Sequence, residues 1–278
     1  MLLLKSNEND FKGMIAMKEI EYKFIKTSLD DNKDFFRSYF SSLSAIYDNF
    51  LESHILKSDV YSIYIENDKV GYFAVYEKKL LTQFYVNKSA MKYAQSIFKQ
   101  ILEKYHIERA LVPTCDELLL SMSLDFHKKV SMQAYFFEEN KNPIYEIELP
   151  KYGRDLLRQA IENDIPSIEE LCEGFFDKVK DSILLGQIYI LEENDDILGF
   201  GLIEDCNIFK DYKATGMFTV NKHRQNGVGR SIILHLKDIC YEKGFKPLPG
   251  CWYYNFNSKR TLESCGYISK TRLLNIEF

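Results

Sequence analysis

The sequence predicts two related α/β domains in tandem. Three observations carry this: the length, a strand–turn–strand unit found once in each half, and a strand-to-helix step that follows each unit. At 278 residues with 46% hydrophobic residues, the chain can fill two domains of about 100–150 residues each. The first unit is Ile63-Tyr64-Ile65, a polar turn over Glu66-Asn67-Asp68-Lys69, and an apolar run from Val70 to Val75. The second is Ile188-Tyr189-Ile190, the turn Asn194-Asp195-Asp196, and Ile197-Leu198-Gly199-Phe200-Gly201-Leu202-Ile203. Asn and Asp between β-rich runs are hairpin chemistry, because they tolerate left-handed backbone angles.

Each unit then leads through a further strand into a helix. Phe84-Tyr85-Val86 precedes a helical pattern over residues 90–104, and Met217-Phe218-Thr219-Val220 precedes one over residues 229–241. In the second helix Ile232, Ile233, Leu236, Ile239 and Cys240 recur at helical spacing, Lys237 and Asp238 are expected to face out, and Gly244 supplies the left-handed stop. Each half is expected to close on a similar strand, Ile144-Tyr145-Glu146-Ile147-Glu148-Leu149 and Leu273-Leu274-Asn275-Ile276-Glu277-Phe278. The boundary is then set near Pro150-Lys151-Tyr152-Gly153, giving domains 1–150 and 151–278.

Composition narrows the function classes. Lys plus Arg is 36 against Asp plus Glu at 41, a net charge of -5 without a long run of like charge. Such a surface offers neither duplex nucleic acid nor an anionic membrane an electrostatic footprint. The opening Met1-Leu2-Leu3-Leu4 turns polar at Lys5, too short an apolar stretch for a signal peptide or a span, so a cytoplasmic protein is expected. Met14 and Met17 precede the first clear strand, so the leading residues read as a frayed tail or an upstream start, and no function is assigned to them. Six separated cysteines (Cys115, Cys172, Cys206, Cys240, Cys251, Cys265) read as buried reduced thiols, and the five histidines lack metal-ligand spacing, so no metal is expected.

The chemistry lies between Val220 and Ser231: Asn221-Lys222-His223-Arg224-Gln225-Asn226-Gly227-Val228-Gly229-Arg230. Gly227 and Gly229, between a strand and an apolar-faced helix, let backbone approach a ligand without a Cβ in the way. First-turn N–H groups lack intrahelical partners and sit at the positive end of the helix dipole, so the segment is an anion cradle suited to a pyrophosphate. Each such bond to a charged oxygen contributes roughly 1.5–3 kcal/mol. It is not a Walker loop, since Gly-Lys-Ser/Thr does not follow, and the six-residue GxGxxG pattern is absent.

Arg224-Gln225-Asn226-Gly227-Val228-Gly229 resembles the Arg/Gln-x-x-Gly-x-Gly/Ala acetyl-CoA loop of the Gcn5-related N-acetyltransferase (GNAT) family. Residues 159–168 resemble that family's first strand and helix, Ile197-Leu198-Gly199-Phe200-Gly201 its third strand, and Asn255-Phe256-Asn257-Ser258 with Cys265-Gly266-Tyr267 its last helix. The resemblance covers about residues 154–278 and implies, for each half, a mixed, mostly antiparallel sheet flanked by helices. After Val86 the first half has Tyr93 and Gln95 in place of the glycines, so it resembles a degenerate GNAT domain without the cofactor loop.

The resemblance implies an N-acetyltransferase moving an acetyl or similar acyl group from acetyl-CoA to a small-molecule or peptide amine by direct attack, as a monomer or homodimer. Phe218, Thr219 and Val220 would pair with the pantetheine. Arg224, Gln225, Asn226, Gly227, Val228, Gly229 and Arg230 would hold the phosphates. Asn255 and Ser258 would reach the cofactor from the last helix, and both also suit a helix cap. An amine of pKa about 10.4 needs a proton acceptor at neutral pH; Glu204 is the candidate base, with Asp205 beside it and His223 read as packing. The family's usual tyrosine, seven residues past the helix-opening Asn, is replaced by Leu262, which leaves Tyr253 and Tyr254 as candidate acids. The alternative reading is a non-catalytic acyl-CoA-binding sensor or regulatory module.

Overall fold

The computed structural model describes residues 21–278; the reading of the leading residues as a tail concerns positions outside the described residues. The two halves repeat one order of elements. The first runs β1 (Tyr22–Thr27), α1 (Lys33–Ser42), α2 (Asn49–Leu56), β2 (Asp59–Ile65), β3 (Asp68–Tyr76), β4 (Leu80–Val86), α3 (Ala94–Lys104), β5 (Arg109–Pro113), α4 (Glu117–Phe126) and β6 (Lys129–Glu139). The second runs β7 (Leu157–Gln159), α5 (Ile165–Leu171), α6 (Val179–Leu184), β8 (Ile188–Glu193), β9 (Asp196–Asp205), β10 (Tyr212–Thr219), α7 (Val228–Glu242), β11 (Lys246–Trp252), α8 (Phe256–Ser264) and β12 (Tyr267–Glu277). Both expected hairpins form, and Asn194 (φ 53°) and Asp195 (φ 63°) take the left-handed angles that their turn demands.

The twelve strands of the described residues join one sheet in the order β1-β2-β3-β4-β5-β12-β6-β11-β10-β9-β8-β7. Only β4–β5 and β10–β11 pair in parallel; the other neighbours are antiparallel. The halves exchange their last strands. β6 leaves the first half to pair with β11, β12 leaves the second to pair with β5, and the two lie side by side at the centre. Main-chain hydrogen bonding therefore runs unbroken through the middle of the molecule and fixes how the halves face each other.

This exchange corrects the expected closing strand of the first half. Residues 144–149 form no strand; Ile144 is 98% and Leu149 85% exposed. Their alternation of apolar and acidic side chains has strand periodicity, but both edges of the neighbouring strands are already taken. The closing strand is β6, whose Ala134, Tyr135, Phe136 and Phe137 are buried on both faces.

Helices cover both faces of the sheet. Alternate residues of β3 divide between them: Tyr72 and Ala74 pack with α1 and α2 through Tyr39, Leu51 and Ile55, while Phe73 and Val75 pack under α3 and α4 through Ile97, Phe98 and Leu119. In the second half α5 and α6 cover Ile188, Ile190 and Phe200, and α7 buries Val228, Ile232, Leu236 and Ile239 on the other side. Lys237, expected to face out, is instead largely covered and ion-paired with Glu139. Gly244 ends α7 at φ +79° as expected. All six cysteines are free, five of them buried.

Candidate active site

β10 and β11 are partners only at their beginnings, from Tyr212 to Thr215 against Lys246 to Pro249. Past Thr215 they part. β10 stays with β9 up to the Thr219–Gly199 pair, while Gly250, Cys251 and Trp252 turn to β6 of the first half. The edge of β10 from Gly216 to Thr219 is thus left without a strand partner on the β11 side. α7 begins at the open end of this gap, and a cavity of about 440 Å³ lies at its closed end.

Gly227 caps α7 with φ +83°, a conformation that lets the chain turn sharply from the loop into the helix. The first bond closed there is Ser231 N–H to the Gly227 carbonyl at 3.0 Å. The N–H groups of Val228, Gly229 and Arg230 come before it and lack intrahelical acceptors. A Cβ on Gly229 would stand 3.2 Å from Thr219 Oγ1 and 3.3 Å from Met217 Sδ. The bare face of Gly229 therefore looks onto β10, and a longer side chain would fill the gap beside the helix start, whose N–H groups suit an anion.

Arg224 donates from Nε to the Thr219 carbonyl (3.3 Å), lies 5.8 Å over the Phe218 ring and faces Glu173 at 3.6 Å. Gln225 and Asn226 are exposed, Val220 and Val228 are buried, and Arg230 is paired with Glu148 from the segment joining the halves. Asn255 Oδ1 accepts the Ser258 N–H at 3.0 Å, capping α8. In the first half the matching helix start is occupied by side chains: Tyr93 precedes α3, and Gln95 Nε2 donates to Asp125 of α4 at 2.9 Å.

Among the candidate catalytic residues, Glu204 lines the cavity. Burial pushes its carboxyl above the usual glutamate range, opposed by the hydrogen bond from Asn49 Nδ2 (3.2 Å) and reinforced by the negative charge of Asp177. Asp205 points to solvent and is paired with Lys213. His223 Nε2 lies 3.0 Å from Asp196 Oδ2 on the hairpin of β8 and β9. Tyr253 stacks on Tyr135 (centroids 4.7 Å apart, planes at 13°), and Tyr254 packs edge-on against Trp252 at 5.0 Å. Neither tyrosine is among the residues lining the cavity, and Leu262 is buried in the core with Ile233 and Cys265.

Sequence reasoning missed the five residues of the cavity wall that the first half supplies. Asp48, Asn49 and Phe50 come from the start of α2, and Gln133 and Ala134 from the exchanged strand β6. An Asp-Asn pair opening a helix reads as a cap, and Asp48 does cap α2, its Oδ1 accepting the Leu51 N–H at 3.2 Å. Only strand exchange carries it over to the second half, and hydropathy patterns hold no signal for that.

The comparisons with known proteins bear on the fold. Residues 28–140 match the model of the acetyltransferase (GNAT) domain. Among solved structures, a GNAT-family acetyltransferase from Colwellia psychrerythraea superposes with a TM-score of 0.79 at 16% identity, over 93% of this chain and 99% of that one. A GCN5-related N-acetyltransferase from Sphaerobacter thermophilus gives 0.62 at 10% identity, over 92% and 95%. A tandem GNAT protein from the clavulanic acid biosynthesis pathway gives 0.59 at 10% identity, over 92% and 98%. A search of curated proteins found no match. The GNAT domain match covers residues 28–140, and the doubled fold of the whole chain is similar to those of GNAT acetyltransferases, a tandem one included. That family and fold support acyl transfer as the general class of chemistry. Among the described residues, no helix is long and apolar enough to cross a membrane.

Proposed function

We propose that this protein is an N-acetyltransferase of the cytoplasm, moving an acetyl or similar acyl group from coenzyme A directly onto an amine. Residues 151–278 form its catalytic domain, and residues 1–150 a domain without a cofactor loop that shapes the acceptor side. The observation that carries the reading is the gap between β10 and β11. It has three free helix N–H groups at one end and a partly buried carboxylate, Glu204, at the other.

The residues fit an acyl-CoA. The N–H groups of Val228, Gly229 and Arg230 receive the pyrophosphate, where the helix dipole adds to their hydrogen bonds. The unpartnered edge of β10 takes the pantetheine amides in the place of a strand. A main-chain N–H of that edge faces the thioester carbonyl and stabilises the oxyanion as it forms. Glu204, its proton affinity raised by burial, accepts the proton that the amine nitrogen loses as it attacks the carbonyl carbon. The C–S bond breaks and the thiolate leaves, to be protonated by water.

Thermal melting with and without acetyl-CoA, followed by thiol release over a panel of amines, tests this. A ligand at a hundred times its Kd stabilises by about 2.7 kcal/mol. A raised Tm together with thiol release on some amine is the expected outcome, and an unchanged Tm contradicts the reading. A raised Tm without turnover favours the acyl-CoA sensor, to which the buried Leu262 and the absence of Tyr253 and Tyr254 from the cavity wall lend support.

A further inference from the structure

We propose, building on the transferase reading, that the acceptor is an amine carrying a second cationic nitrogen and no anionic group, held by Asp48 of the first half. Among the described residues lining the cavity, the charged side chains are two carboxylates, Asp48 and Glu204; Lys, Arg and His are absent from the wall. A cavity of that charge favours cations, and repels a carboxylate or phosphate attached near the amino group.

Asp48 is built into the wall. It is only 8% exposed, and its Oδ1 is spent on capping α2. The other oxygen, Oδ2, lies over Gly250, 2.7 Å from where a Cβ on that residue would stand. Gly250 is the first residue of β11 past the split, so glycine at this point makes room for a carboxylate oxygen at the closed end of the gap. Beside it, Thr215 is also 8% exposed and lines the cavity, and its hydroxyl is buried without a hydrogen-bond partner. An orphaned hydroxyl is costly unless something in the cavity meets it.

The two acids then divide the work. Glu204, steadied by Asn49, accepts the proton of the attacking nitrogen. Burial pushes the Asp48 carboxyl up to about 6, so above that pH it carries the charge that meets the second nitrogen, where Phe50 and Trp252 add two aromatic surfaces that attract a cation.

Three probes of equal chain length separate these features: 1,5-diaminopentane, pentylamine and lysine, each titrated calorimetrically into the full-length protein without coenzyme A. The expected order is the diamine tightest, with pentylamine and lysine weaker by about tenfold or more, the size of one lost or one repelled charge in a part-buried site. Asp48→Asn, which keeps the cap on α2, is expected to weaken the diamine about tenfold and leave pentylamine unchanged, since only the second charge is lost. Equal affinity for diamine and monoamine, tighter binding of lysine, or no binding of any probe overturns the proposal. Stabilisation by acetyl-CoA is read separately. Acetyl-CoA binding without a preference for the diamine removes this proposal and leaves the transferase reading standing, and the diamine preference without acetyl-CoA binding does the reverse.

Discussion

Asn49 Nδ2 donates to Glu204 Oε2 at 3.2 Å, joining side chains 155 residues apart. The bond crosses from one half to the other, and three residues further along α2 the same contact is repeated. The buried carboxylate of Glu52 accepts the backbone N–H of Ile208 at 3.1 Å and that of Asn207, in the loop that follows β9. The first half therefore holds both the proposed base and the turn beyond it. Such supporting contacts lock the rotamer of a functional side chain.

Glu204→Gln removes the proton acceptor and keeps the shape. The expected loss in kcat is about 10²–10⁴-fold, with acetyl-CoA affinity unchanged. Since burial raises the carboxyl pKa, the base is ionised only above a pH higher than that of an ordinary glutamate. The wild-type rate should therefore climb with pH through that raised value. Steady-state rates across pH check this; the rising limb should vanish in the variant.

Asp116, which caps α4, has its carboxyl pushed up to about 6 by burial. A raised folded-state value means that the folded protein prefers the neutral acid. The stabilisation is complete below the ordinary aspartate value and is lost as the pH rises towards 6. A shift from 3.8 to about 6 corresponds to about 3 kcal/mol at most. Denaturant unfolding of the wild type and of Asp116→Asn, which keeps a capping side chain, isolates this contribution: the stability of the wild type relative to the variant is expected to be greater at pH 4 than at pH 8.

Leu262→Tyr restores the residue type that the family resemblance leads one to expect. Leu262 is 2% exposed among Tyr135, Ile233 and Cys265, and it does not line the cavity. Overpacking there costs about 1–3 kcal/mol. The expected result is a lower Tm and no gain in thiol release, read by melting and by steady-state assay.

The hairpins, α7 and its glycine loop were legible because local rules decide them: left-handed turn residues at Asn194 and Asp195, an apolar face every three to four residues from Val228 to Cys240, and a strand-to-helix turn at Gly227. Residues 144–149 misled for the same reason. Their alternation was sound locally, and the competition that denied them a partner is a property of the whole sheet. Asp48 and Asn49 were invisible as site residues because their position depends on β6 and β12 changing places, a pairing between segments more than a hundred residues apart. Glu204 stood out as an acid at a strand end, yet what sets it apart from Asp205 is burial under α2, which only the packed halves create.

The central claim is that the start of α7 holds an acyl-CoA through bare backbone. Calorimetric titration of acetyl-CoA into the wild-type protein and into Gly229→Glu tests it most directly, with circular dichroism confirming that the variant is folded. A Cβ at position 229 meets only ordinary to tight neighbours, so the fold should survive. The carboxylate would fill the gap and repel the phosphates. Clear binding to the wild type is expected, with a loss of at least about a hundredfold in the variant, the size of two or more phosphate hydrogen bonds. Equal affinity in both proteins would contradict it.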